Sequence, residues 1–96
     1  MTLKHPPWGD LPDFEWADHI IEKVWRKHGV RPEEIKQVFQ NPHHWIAPHQ
    51  KARSEPEKYG TYYEIVGFTD GGRKLRIIVD YIGDDWVFPV TAFEID

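Results

Sequence analysis

Polar residues on two adjacent candidate strands are the first group whose types and spacing could do chemistry. Residues 62–68 and 73–81 flank the tetrapeptide TDGG, a strong hairpin signal. Alternation of side chains along a strand predicts one shared face for Tyr62, Glu64, Lys74 and Arg76. A carboxylate beside cations on such a face is a candidate general base next to a phosphate clamp. The alternative is a solvated face with cross-strand charge pairs, each stabilising by well under about 1 kcal/mol.

A basic segment at residues 48–58 supplies further cations. Lys51, Arg53 and Lys58 lie in it, and its polar composition predicts a mobile loop. Such side chains can contact phosphates or an acidic segment of a partner, the alternative being a solvated loop. His43, His44 and His49 precede or open this segment, but no Asp or Glu lies among them and no HExxH pattern is present. We therefore expect no metal site and no cofactor.

Two residues outside these segments are also candidates. His28 could act as a general acid or base near neutral pH. Its alternative is a half-buried histidine at a helix end, because it falls on the packing face of a predicted helix. Thr91 could complete the site from the last strand, or it could be an ordinary polar residue near a strand end.

The elements that position these residues begin with two helices across residues 18–40. Apolar residues recur with helical spacing on one face of each segment, and Gly29 separates the two as a natural left-handed stop. We prefer Asp18 as the cap of the first helix. Pro32 suits the first position of the second helix. The residues expected in the core are Ile20, Val24, Ile35 and Phe39.

Three strands follow, and the last one carries a proline. Leu75, Ile77 and Val79 alternate with polar neighbours, which indicates one buried face. Pro89 cannot donate to a ladder, so the strand at 86–93 is an edge or contains a bulge there. The predicted fold class is α+β: two N-terminal helices packed on one face of a 3–5 stranded antiparallel sheet. We expect an irregular N-terminal arm at 1–13 and a single domain at 14–96.

Length and composition are consistent with this organisation. The chain has 96 residues, no cysteine, and no run of 18 apolar residues. The default expectation is a cytoplasmic protein that does not enter a membrane. The formal net charge is −4, which is atypical of a nucleic-acid binder, but the acidic excess is concentrated after residue 77, where no basic residue occurs.

Short motifs follow one another over residues 14–94: FEW at 14–16, KHGV at 27–30, EE at 33–34, VF at 38–39, NP at 41–42, EKY at 57–59, Gly67, GR at 72–73 and VTA at 90–92. In this order they resemble the BrnT-type toxin family. Phe93 stands where the family pattern has an arginine. Residues 19–35 and 90–95 also resemble a related family of small bacterial domains without an assigned function.

The toxin resemblance implies a RelE-like fold and a metal-independent endoribonuclease of a type II toxin–antitoxin pair. On this interpretation Glu64 is the base, and Arg73 and Arg76 are candidate cations for the phosphate. His28 and Thr91 complete the catalytic set, and RNA is bound by Lys51, Arg53, Lys58, Lys74 and Tyr62. The implied partners are an antitoxin protein and an RNA substrate, and a homodimer is a further expectation. The alternative function is a non-catalytic protein-binding module on the same fold.

Overall fold

A computed structural model, which describes residues 6–96, has an α+β fold with a mostly antiparallel five-stranded sheet. The elements in chain order are β1 Asp13–Phe14, α1 Asp18–His28, α2 Pro32–Gln40, β2 Trp45–Pro48, α3 Gln50–Ser54, α4 Pro56–Tyr59, β3 Tyr62–Phe68, β4 Lys74–Gly83 and β5 Trp86–Glu94. The strand order is β1-β5-β4-β3-β2, and only β1 pairs in parallel. The predicted class and strand number are confirmed, with the parallel pair as a difference.

The helix boundaries follow the expected local chemistry closely. Gly29 adopts φ +63°, and its N–H donates to the Trp25 carbonyl as the left-handed stop of α1. Pro32 is the first residue of α2, and the Glu34 carboxylate accepts the Arg31 N–H at 3.1 Å. The prediction of Asp18 as the cap is wrong, because Ala17 holds the cap position and Asp18 is already helical.

The hydrophobic core lies between α2 and one face of the sheet. Val24, Ile35 and Phe39 are buried in it and Ile20 packs against it, as predicted. Trp8 is only 1% exposed and contacts the ring of Tyr63 edge-on, with the centroids 5.3 Å apart. The predicted arm at 1–13 lies partly outside the described residues, but its Trp8 belongs to the core.

The two N-terminal helices occupy different positions on the sheet. α2 packs over β3 and β4, whereas α1 packs mainly against β5. Only Val24 of α1 is fully buried, and Trp25 is about half exposed with Arg31 stacked 4.8 Å from its ring centroid. A helix with so narrow a buried stripe lies beside the last strand rather than across the sheet. The expectation that both helices cover one face is therefore only partly correct.

Pro89 lies at an irregularity in β5. Ile78 pairs with Thr91 and Val79 pairs with Pro89, so Val90 is an extra residue opposite β4. On its other side, β5 pairs with β1 only through Trp86 and Val87. The predicted bulge is therefore confirmed, whereas β5 is not the edge strand, because β1 lies outside it.

The segment at 48–58 is folded, so the prediction of a mobile loop is wrong. It forms α3 and α4, two short helices that precede β3. His49 caps α3 by accepting the Lys51 N–H at 3.2 Å, Ala52 is buried, and Pro56 begins α4. Two single turns, of which only α3 has a side-chain cap, are too short to give a clear helical period in the sequence.

Within residues 6–96, no helix is both long enough and apolar enough to cross a membrane.

Candidate functional site

A groove of about 460 Å³ lies on the sheet face opposite α2, beside α3. Its floor comes from β3, β4 and β5, and α3 with its cap forms one wall. Its lining residues are His49, Gln50, Lys51, Arg53, Glu64, Arg76, Ile78, Thr91 and Phe93. Five of the ten residues predicted for catalysis or RNA binding are therefore brought together here.

Strand register explains why the floor residues converge. Glu64 pairs with Ile78, and Ile78 pairs with Thr91 on the next strand. Arg76 pairs with Phe93. Residues two apart on a strand share a face. These side chains therefore lie on the sheet face opposite the buried Leu75 and Ile77.

The Glu64 and Arg76 side chains form a loose ion pair at the centre of the groove. Arg76 Nη1 lies 3.6 Å from Glu64 Oε2, which is an ion-pair distance but longer than a hydrogen bond. The side chain of Glu64 is 16% exposed and that of Arg76 is 42% exposed. Within the described part of the chain, Arg76 Nε is buried without a hydrogen-bond partner. The exposed part of the Arg76 side chain and the loosely paired Glu64 carboxylate therefore retain capacity for a ligand, whereas the buried Nε does not.

Three of the predicted RNA-binding residues lie outside the groove lining. Tyr62 packs edge-on against Tyr59 at 5.2 Å, and the Lys58 ammonium lies 5.2 Å from the Tyr59 ring centroid. Burial raises the pKa of the Tyr62 hydroxyl, with smaller contributions from the charge of Asp80 and from Tyr59. Lys74 begins β4 opposite Phe68, on the same face as Arg76 but beyond the groove. Their predicted contacts with RNA stay predictions.

Arg73 lies at the helix-covered end of the sheet, away from the groove. Its Nη1 donates to the Gly29 carbonyl at 3.0 Å and to both carboxylate oxygens of Glu34 at 2.9 and 2.8 Å. Its Nε donates to Glu94 Oε1 at 3.0 Å. The hydrogen bond to Glu34 raises the pKa of Arg73, with burial acting in the opposite direction and Glu94 adding a second hydrogen bond. These contacts tie α2 to the sheet, and its predicted catalytic role stays a prediction.

His28 lies behind the groove rather than in its lining. Its exposed ring packs against Phe93, with the centroids 5.7 Å apart and the planes at 47°. His28 can influence the groove through its contact with Phe93. Its predicted catalytic role stays a prediction.

Sequence reasoning missed the contributions of His49 and Phe93 to the groove. Phe93 is two residues from Thr91, so the same alternation that placed Thr91 could have placed it. His49 had no such signal, because its position depends on the α3 cap. Among residues 6–96, no group of three or more His, Cys, Asp or Glu side chains gathers where it could hold a metal ion.

Comparison with known proteins gives one informative structural match. No protein-family model matches the chain, and no curated protein matches its sequence. Among solved structures, the chain is similar to the ribonuclease toxin BrnT of Brucella abortus, with a TM-score of 0.61 and 12% sequence identity. The match covers 86% of this chain and 95% of the toxin. At this identity the likeness establishes a BrnT-like fold.

Proposed function

We propose that this chain is a toxin-like endoribonuclease that needs no metal ion. The observation that carries the proposal is the groove in which Glu64, Arg76 and Thr91 are joined by Lys51 and Arg53 of α3. The Glu64 carboxylate shares this groove with the positively charged side chains of Lys51, Arg53 and Arg76. This arrangement suits the binding of a phosphodiester beside a proton acceptor. The BrnT-like fold, seen in a protein described as a ribonuclease toxin, supports the same conclusion.

The reaction that fits these groups is internal transfer of a phosphodiester. Glu64 accepts the proton of a ribose 2′-hydroxyl, whose oxygen then forms a bond to the adjacent phosphorus while the bond from phosphorus to the 5′ oxygen breaks. The products are a 2′,3′-cyclic phosphate and a 5′-hydroxyl, whose oxygen takes its proton from water admitted by the open groove. Arg76 stabilises the negative charge that develops on the phosphoryl oxygens, and the Thr91 hydroxyl can donate to one of them.

The α3 cations extend the binding surface beyond the reacting phosphate. Lys51 and Arg53 line the same groove as Glu64, so they can hold neighbouring phosphates of the same strand. The positive charge of Lys51 and Arg53 in the groove acts locally against the net negative charge of the whole chain. An antitoxin partner and a homodimer, expected from the resemblance to toxins, remain proposals beside this one.

The test is cleavage of total RNA by the purified protein in the presence of excess chelator. We expect Arg76→Ala to reduce the cleavage rate by about 100- to 1,000-fold, because it removes the main stabilising charge. Glu64→Gln should reduce it by about 100-fold or more, because the amide cannot take the proton. Gel analysis and detection of the cyclic phosphate end give the readout.

Arg26→Ala is the matched control, because it removes an exposed arginine of α1 that does not line the groove. It should cleave RNA at the unaltered rate. The proposal fails if the folded wild-type protein leaves RNA intact at high concentration and its expression does not slow bacterial growth. A non-catalytic binding module would then be the better interpretation.

A further inference from the structure

Phe93 and Arg76 form a pair of neighbours that the reaction scheme does not explain. They face each other directly across β4 and β5, on the floor of the groove. Directly opposed side chains on antiparallel strands have Cβ atoms roughly 4.5–5.5 Å apart. Phe93 and Arg76 therefore place an aromatic ring and a cation on neighbouring strands of the same groove floor.

The ring of Phe93 is held in place from α1. It is only partly exposed, and the His28 ring packs against it at 5.7 Å. This contact limits the positions that the ring can adopt, which favours stacking with a ligand. Arg76 has a partly exposed side chain and a loose ion pair at 3.6 Å, so it also has binding capacity left.

A cation next to a flat apolar ring matches the two parts of a nucleotide, a charged phosphate and a base. Stacking on an aromatic side chain requires a base with a free face, which a base inside a duplex does not have. The groove of about 460 Å³ also falls within the range of about 300–1,000 Å³ typical of small-ligand sites, so it suits a nucleotide unit rather than a helix.

We infer that Phe93 is a stacking platform for an unpaired base next to the phosphate bound by Arg76, so that the groove takes single-stranded RNA. This inference rests on the proposed function and names its substrate class. Phe93 thereby selects the substrate, and His28 positions Phe93. The platform should tolerate different bases, because every base presents a flat face.

The experiment measures binding of a fluorescent 2′-O-methyl oligonucleotide, which lacks the attacking hydroxyl, by anisotropy. The same strand is tested alone and annealed to its complement. The wild-type protein should bind the single strand more tightly than the duplex. Phe93→Leu keeps an apolar side chain but removes the flat ring, and it should weaken single-strand binding by about 5- to 100-fold. Phe93→Trp should restore it.

Phe68→Leu is the control, because Phe68 is an exposed aromatic residue of β3 that lies outside the groove. It should bind the single strand like the wild type. His28→Ala should weaken binding less than Phe93→Leu does. Thermal unfolding of each variant separates loss of the platform from loss of the fold, and recovery by Phe93→Trp excludes a purely structural role.

Two results overturn the inference: equal affinity of the wild type for single strand and duplex, or unchanged single-strand binding by folded Phe93→Leu. If Arg76→Ala abolishes cleavage while Phe93→Leu binds normally, only the stacking platform is refuted. If the wild type neither binds nor cleaves RNA, the proposed function is refuted as well.

Discussion

The two faces of the sheet each carry an arginine from the β3–β4 hairpin, and the two residues have opposite surroundings. Arg73, on the face covered by α2, donates to a carbonyl and two carboxylates. Arg76, on the groove face, has one loose ion pair and an unpartnered Nε among the described residues. Three positions in the chain separate a guanidinium held by three acceptor groups of the fold from one whose partly exposed side chain makes a loose ion pair.

The difference teaches that residue type alone does not identify a functional cation. Position on the strand decides which face each arginine occupies, and the partners on that face decide what remains available. Arg73 is surrounded by acceptors because the start of α2 and the end of β5 meet there. We therefore expect Arg73 to act mainly in stability and Arg76 mainly in function.

Arg73→Ala should give the largest loss of stability. It leaves the partly buried Glu34 carboxylate and the Gly29 carbonyl without their cation, for a cost of about 2 kcal/mol. In a domain of this size the unfolding midpoint should fall by about 10 °C. Arg26→Ala, which breaks an exposed pair with Glu22, should cost only about 0.3–0.5 kcal/mol. Equal losses in the two variants would contradict the structural role of Arg73.

Lysine substitutions should distinguish the roles of the two arginines when stability and RNA cleavage are measured on the same variants. Arg73→Lys should still lose about 1 kcal/mol, because an ammonium cannot reproduce the geometry of three acceptors around a planar guanidinium. Arg76→Lys should change stability by less than about 0.5 kcal/mol and retain about a tenth of the cleavage rate, because a point charge still attracts phosphate. Urea unfolding and RNA cleavage on both variants check this. A stability loss confined to Arg76→Lys would reverse the assignment.

The smallest effect is expected at alkaline pH and involves Tyr62 on the groove face. The folded state raises the pKa of the Tyr62 hydroxyl. The contribution of Tyr62 to the free energy of unfolding is therefore fully present below the unfolded pKa of about 10, and it is lost as pH rises through the folded pKa. The wild type should therefore lose stability more steeply than Tyr62→Phe does as pH rises above about 10. Urea unfolding at several pH values measures the slopes. Parallel slopes would show that this tyrosine does not contribute.

Sequence patterns were sufficient to predict the elements in which apolar residues recur with a clear period. Alternation in β4 and the Gly29 stop predicted the sheet faces and the helix pair, and so the shared face of Glu64 and Arg76. The wall of the groove could not be predicted, because α3 depends on a histidine cap and one buried alanine. The position of Arg73 also required the structure, since its partners lie far away in sequence.

The parallel pairing of β1 with β5 has a consequence for the order of folding. Asp13 pairs with Trp86, so the first and last strands are neighbours and their contact closes a loop that includes almost every other element. Contacts of such long sequence separation form late and slow the search for the native state. During synthesis, neither the sheet nor the Phe93 side of the groove can be completed until β5 has emerged. The groove is therefore unfinished until β5 has been translated.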